Sequence, residues 1–211
     1  MKPAVIVMAK SPRPGRVKTR LCPPCRPGEA SAIATAALVA TLEAVARSDS
    51  ARRVVALDGP IGPWLPADFE VIAQRGNGLA ERLAAAFADV GGPAVAVGMD
   101  APQVTPELIN DSLEVLSESD SALGPTPDGG YWAIGLRRAD DAVFAGVPMS
   151  SPATYRAQRQ RLRALDLDCR VLPELHDVDH FTDAIAVAEM LPGTPFSSAV
   201  RSVTERIKAA R

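Results

Sequence analysis

Short runs of apolar, mostly β-branched residues alternate with longer alanine- and leucine-rich stretches along the whole chain, and this alternation restricts the fold more than any other feature. The runs at residues 4–8, 54–57, 69–73, 94–97, 121–124, 131–136 and 169–172 have the length and composition of buried strands. Between them, apolar residues recur at helical spacing over residues 29–46, 79–90, 105–116, 151–165, 183–190 and 197–208. Thr105-Pro106 and Ser151-Pro152 both read as helix starts, with a hydroxyl N-cap and proline at the first helical position. Strand and helix in turn predict an α/β fold with a mostly parallel sheet, right-handed crossovers and helices on both faces.

No repeat, linker or low-complexity segment divides the 211 residues, so one domain spanning 1–211 is expected. A net charge of −2 argues against nucleic acid as a partner, because such binding needs a broad basic surface. No apolar run approaches the length of a bilayer span and no signal peptide opens the chain, which places it in the cytoplasm. Cys22 and Cys25 have CxxC spacing. A zinc site needs a second ligand pair, and Cys169 stands alone; a redox pair would open a helix, whereas Arg26-Pro27 follows and reads as loop. A structural role is expected for both. The apolar residues near 196–203 suit internal packing or a homodimer contact.

Positive charge is concentrated in one place. Lys10, Arg13, Arg16, Lys18 and Arg20 fall within eleven residues directly after the first strand, where open α/β sheets bind their ligands. Pro12, Pro14 and Gly15 keep this stretch out of a helix, so Lys10, Arg16, Lys18 and Arg20 can converge on one polyphosphate. Lys18-Thr19 matches the end of a P-loop, but Pro12 and Val17 stand where its glycines belong. Side chains, more than a backbone nest, must therefore hold the anion.

Carboxylates supply the complementary half. Asp100, in Gly98-Met99-Asp100-Ala101-Pro102, follows a predicted strand and is a candidate ligand for Mg2+ or Mn2+, or else a turn or cap residue. Asp177 and Asp179 follow another strand and face one side if that segment is extended, so either can be a second ligand; Asp179 or His180 also suits the cap of the next helix. In Gly124 to Trp132, Asp128 can accept from sugar hydroxyls while Gly129 and Gly130, beside Tyr131, admit a ligand close to the backbone. An Asp-Gly hairpin turn is the alternative there, and both can hold. Gln74 and Gly78 precede a helix and suit a nucleobase edge or pyrophosphate, with capping by Asn77 an equal account.

The ordered motifs Ala9-Lys10 to Leu21, Gly98-x-Asp100-x-Pro102, Gly124-Pro-x-x-Asp128-Gly129-Gly130-Tyr131 and Asp177-Val178-Asp179 resemble the bacterial DUF2064 family. That resemblance covers nearly the whole chain and implies the GT-A (Rossmann-like) fold of the nucleotide-diphospho-sugar transferase superfamily. The Lys10–Leu21 segment is similar also to the 2-phospholactate guanylyltransferases. The resemblance implies that Asp100 stands at the superfamily's metal-binding aspartate and that Asp179, or Asp177, matches the later ligand. The sequence departs from the Asp-x-Asp of many glycosyltransferases, having Gly98-Met99-Asp100 instead.

Three functions are compatible with these residues. In nucleotidyl transfer, the basic loop binds a nucleoside triphosphate and a small phosphorylated or hydroxyl acceptor displaces pyrophosphate, with Lys18, Asp100 and Asp128 as the catalytic set. In glycosyl transfer, the same groups neutralise the nucleoside diphosphate leaving a nucleotide sugar. A non-catalytic nucleotide-binding module is the third. Four convergent cations favour the triphosphate, and with it nucleotidyl transfer.

Overall fold

Seven strands build a single sheet in the computed structural model, which describes residues 3–210. The strands are β1 (Ala4–Lys10), β2 (Arg52–Asp58), β3 (Glu70–Ala73), β4 (Ala94–Gly98), β5 (Ser121–Pro125), β6 (Tyr131–Leu136) and β7 (Cys169–Val171), in the order β3-β2-β1-β4-β6-β5-β7. β6 runs antiparallel to β4 and β5, and every other neighbouring pair is parallel. This is the mostly parallel α/β sheet that the alternation predicts. The chain leaves β1 toward β2 on one side and returns to β4 on the other. The switch point, where ligands bind in such sheets, is therefore the β1–β4 junction.

β1 is buried on both faces, which is why it reads as an unbroken apolar run. Val5, Val7 and Ala9 pack on one side with α1 (Pro27–Ala46) and α3 (Pro106–Glu118). Ala4, Ile6 and Met8 pack on the other, in a cluster that includes α2 (Leu79–Val90) and α4 (Thr154–Ala164). Phe87 of α2 stacks on Phe144 in this second layer, at a ring separation of 5.8 Å.

A third cluster explains the composition of α1. Its Ala30, Ile33 and Ala37 face away from the sheet and pack against Phe196, Val200 and Val203 of α6 (Pro195–Ala209), with α5 (Phe181–Met190) alongside. A helix apolar on all sides is a helix covered on all sides. Phe196, Val200 and Val203 pack internally, one of the two alternatives for this stretch. One expectation changes here: α1 does have the length and mean hydropathy, 1.4, of a bilayer span, although more than half of that stretch is buried within the protein.

Two helix caps also differ from the sequence reading. α4 begins at Thr154, because Ser151 and Pro152 form a turn in which Ser151 Oγ accepts from Ala153 N and Thr154 Oγ1 donates to Pro148 O. α2 is preceded by Gly78 at the N-cap, and Asn77 contributes only its backbone N–H, donated to Glu81. Thr105 caps α3 as expected, accepting from Leu108 N.

The start of α1 is tied to α6 by a bidentate pair, in which Arg206 donates to both carboxylate oxygens of Glu29. Hydrogen bonding from Arg206 holds the Glu29 pKa below the ordinary glutamate value. A depressed folded-state pKa means that the stabilisation is present above the unfolded value and is lost as pH falls through the folded one. Glu29→Gln should therefore lower the urea midpoint at neutral pH, and its deficit against the wild type should shrink at about pH 3, below the ordinary glutamate range.

Candidate functional site

The basic loop is anchored before it is functional. Ser31 Oγ of α1 donates to Pro12 O, Arg16 N donates to Arg13 O to close a turn around Gly15, and Leu21 is fully buried beneath it. Gly15 has a φ of 72° that favours glycine, so it shapes the turn and does not line the cavity beside it. Lys18 is also left-handed, with φ 47°, and leads into a short 3-10 turn at Thr19–Leu21. That geometry aims Lys18 inward. Its side chain is 9% exposed, with Nζ 2.8 Å from Asp100 Oδ2 and 3.4 Å from Asp179 Oδ1.

Asp100 stands just beyond β4, and Asp179 comes from the segment after β7. This segment is held in place by backbone bonds that extend the β5–β7 pairing: Leu172 N donates to Leu123 O and Leu175 N to Pro125 O. Trp132 Nε1 adds a bond to Pro173 O at 2.9 Å, its indole lying over Gly124, where a Cβ would collide with the ring. Arg20 donates to the other oxygen of Asp179 at 2.6 Å. Burial opposes the charge of Lys18, yet the two carboxylates outweigh it and keep its pKa above the ordinary lysine value.

Asp177 is placed differently from Asp179. Burial, then the nearby carboxylates of Asp128 and Asp179, push its pKa up to about 6. Of the two alternatives left open by the sequence, Asp179 is the one that meets Asp100 across a shared cation. His180 occupies the N-cap of α5, one of the two readings, and Asp183 three residues on accepts from His180 N and Asp179 N.

Two adjoining cavities meet at this cluster. The first, about 480 Å³, is lined by Lys10, Arg16, Lys18, Thr19, Arg20, Gln74 and Gly78, together with Asp100 and Asp179. The second, about 730 Å³, is lined by Asp128, Gly130, Tyr131 and Asp177, among others. Arg20, Asp100 and Asp179 belong to both walls. The four loop cations thus face one space. Gln74 is less available, since its amide donates to Ala9 O and Ala56 O and its oxygen accepts from Arg82.

Asp128 is oriented by its own turn. Its Oδ1 accepts from Thr126 Oγ1 at 2.5 Å and from Gly130 N at 2.8 Å, while Oδ2 makes no bond among the described residues. The turn that the sequence allows is present, and Asp128 and Gly130 also line a cavity. Gly129 serves packing, because at φ 88° its Cβ would lie 2.1 Å from Pro152 O. Burial pushes the Tyr131 phenol pKa up.

Sequence reasoning overlooks Arg82, which lines the first cavity from α2 and donates to Asp58 Oδ2 at 2.8 Å. Its signal is position, in the first turn of the helix that follows the Gln74–Gly78 stretch. It also overlooks His176, Ser150 and Thr182 in the second cavity. Cys22 and Cys25 are free; Cys25 is buried, and that burial, with Cys22 nearby, pushes its thiol up to about 11, opposite to a reactive cysteine.

No group of three or more His, Cys, Asp or Glu side chains arranged to hold a metal ion occurs among the described residues. What the structure offers is a pair of carboxylates, Asp100 and Asp179, gathered around one positive charge. Such a pair suits a hard cation whose remaining ligands come from substrate phosphates.

The family model described as an uncharacterized protein conserved in bacteria (DUF2064) matches residues 39–151, a span that excludes the basic loop and Asp179. No curated protein matches the sequence. A Desulfovibrio desulfuricans G20 structure, assigned provisionally as a nucleotide-diphospho-sugar transferase, is similar at 26% identity and TM-score 0.88, covering 99% of this chain and 98% of that one. The fold is shared with CMP:2-keto-3-deoxy-manno-octonic acid synthetase in complex with CTP, at 14% identity, TM-score 0.62 and coverage of 90% and 98%. It is shared also with Rv0371c of Mycobacterium tuberculosis H37Rv in complex with manganese, at 18% identity, TM-score 0.59 and coverage of 90% and 98%.

The bond from Trp132 to Pro173 O makes a local prediction. Trp132→Phe should destabilise the protein by about 1 kcal/mol through the lost bond. Amide exchange should quicken at Leu175 and its neighbours while β1 and β4 keep their protection; an unchanged rate there would mean that the indole does not position this segment.

Proposed function

We propose that this chain, which belongs to the DUF2064 family, transfers a nucleotidyl group from a nucleoside triphosphate to a small hydroxyl or phosphate acceptor and releases pyrophosphate. The observation that carries this reading is the meeting of the two cavities at Arg20, Asp100 and Asp179, with Lys18 bridging the two carboxylates and Lys10, Arg16 and Arg82 beside it on one side of the junction. A triphosphate laid along that basic wall places its α-phosphorus at the junction. An acceptor in the second cavity then lies in line with the leaving pyrophosphate.

The acceptor oxygen forms a bond to the α-phosphorus, and the bond from that phosphorus to the α–β bridging oxygen breaks. The electron pair leaves with pyrophosphate toward Lys10, Arg16 and Arg82, and a hydroxyl acceptor gives its proton to Asp128 Oδ2, which the Thr126–Gly130 turn leaves unpaired. Lys18 and Arg20 neutralise charge at the reacting phosphoryl group. Mg2+ or Mn2+ held by Asp100 and Asp179 would supply further electrostatic stabilisation of the triphosphate. The fold relatives in complex with CTP and with manganese support this assignment of nucleotide and metal.

The size and hydroxyl-rich lining of the second cavity favour a second reading, glycosyl transfer from a nucleotide sugar. One assay separates the two. Purified protein is offered each nucleoside triphosphate and common nucleotide sugars with Mg2+ or Mn2+, together with a panel of small acceptors, and both thermal stabilisation and released products are followed. Pyrophosphate release supports nucleotidyl transfer; nucleoside diphosphate release from a sugar donor overturns it; binding without either product leaves a non-catalytic module. Lys18→Ala is expected to lower kcat by about 100-fold. Arg82→Ala, which removes a phosphate contact remote from the junction, should instead raise KM by about 10-fold with a smaller change in kcat.

A further inference from the structure

The two cavities adjoin yet differ in the charge of their linings. The first is lined by five Lys and Arg side chains against two aspartates. The second is lined by five aspartates, Asp100, Asp128, Asp177, Asp179 and Asp183, and by a single Lys or Arg, Arg20. That guanidinium pairs with Asp179 at 2.6 Å and Lys18 pairs with Asp100 at 2.8 Å, which leaves Asp128, Asp177 and Asp183 without a Lys or Arg partner among the described residues.

Resting on the nucleotidyl-transfer reading, we infer that the acceptor is an uncharged polyhydroxylated molecule, of the size of a small sugar or polyol, that carries neither phosphate nor carboxylate. A phosphate ester in the second cavity would bring about two negative charges beside these carboxylates, and like-charge juxtaposition of this kind costs several kcal/mol. Hydroxyl groups meet the opposite conditions. Asp128 Oδ2 and the Asp177 carboxylate are acceptors for them, and Ser150, Thr182 and His176 can donate or accept. The cavity volume, about 730 Å³, lies within the range of small-molecule sites. The attacking group is then a hydroxyl oxygen: it bonds to the α-phosphorus, its proton passes to Asp128, and pyrophosphate departs with the electron pair of the broken bond.

The test is a binding comparison on the full chain, with the first cavity filled by Mg2+ and whichever of ATP, CTP, GTP or UTP stabilises the protein most. Matched pairs are offered: glycerol and glycerol 3-phosphate, ribose and ribose 5-phosphate, glucose and glucose 1-phosphate. Saturation-transfer NMR and calorimetry read their affinity. At least one free polyol is expected to bind about tenfold more tightly than its phosphate ester. Asp128→Asn/Asp177→Asn should weaken the polyol and admit the ester, narrowing that ratio to about threefold or less. An ester that matches or exceeds its polyol in the wild type overturns the inference, as does the failure of every polyol to bind; should the double variant not fold, this wild-type comparison decides alone. If no nucleotide binds, the comparison is run on the nucleotide-free chain with inorganic pyrophosphate filling the first cavity. Polyol preference under those conditions keeps the acceptor class and removes only the nucleotidyl reading.

Discussion

The buried ammonium of Lys18 is the contact on which the site depends. It joins three parts of the chain far apart in sequence: the loop after β1, the end of β4 and the segment after β7. Without it, Asp100 and Asp179 would face one another with like charge, and with either carboxylate missing the ammonium would lose part of its compensation. An ion cluster with a buried ammonium is a poor source of net stability, because removing that charge from water offsets much of the Coulomb attraction. Their value lies in position. The left-handed backbone at Lys18, an uncommon conformation for a residue with a side chain, points the ammonium into the junction and not along the surface.

Much of this arrangement was legible in the sequence because it rests on local patterns. Leu79–Val90 and Tyr131–Leu136 have the same bounds in the structure as in the sequence reading, since a 3.6-residue period and a compact apolar run between turn residues are each self-contained signals. The basic loop and Asp100 were visible for a similar reason: both follow strands, and strand ends line the ligand edge of such sheets. What stayed hidden depended on distant partners. Arg82 resembles any exposed helical arginine until β1 and β3 bring it beside the loop. Asp177 and Asp179 differ only in which cations and carboxylates the other strands place near them. α1 shows why composition alone misleads, for the covering α5 and α6 lie more than a hundred residues downstream. Ser151-Pro152 failed as a helix start because the Thr154 hydroxyl, three residues later, holds the backbone N–H and carbonyl of Ser151 in a turn.

The contrast between the cavities is therefore a tertiary property. The near-neutral chain separates its charges spatially, gathering cations where an anion would rest and carboxylates where its partner would approach. Such a gradient would orient a polyphosphate ligand as well as attract it, because its anionic end has one favourable side of the junction.

The reversed direction of β6 has a consequence for how such a protein can change. Because β6 runs against its neighbours, its beginning, not its end, reaches the ligand edge, and the turn at residues 126–130 arrives beside Asp100. The chain then crosses the height of the sheet and comes back through buried Val143 and Phe144 to deliver Ser150 and Ser151 to the same chamber. Apart from the shared junction, most of that chamber is made by residues 126–186, whereas the phosphate side is made mainly by residues 8–20 and 74–82. On the transfer reading proposed above, mutations in the later half retarget the protein to a new recipient while the grip on the activated donor is inherited intact.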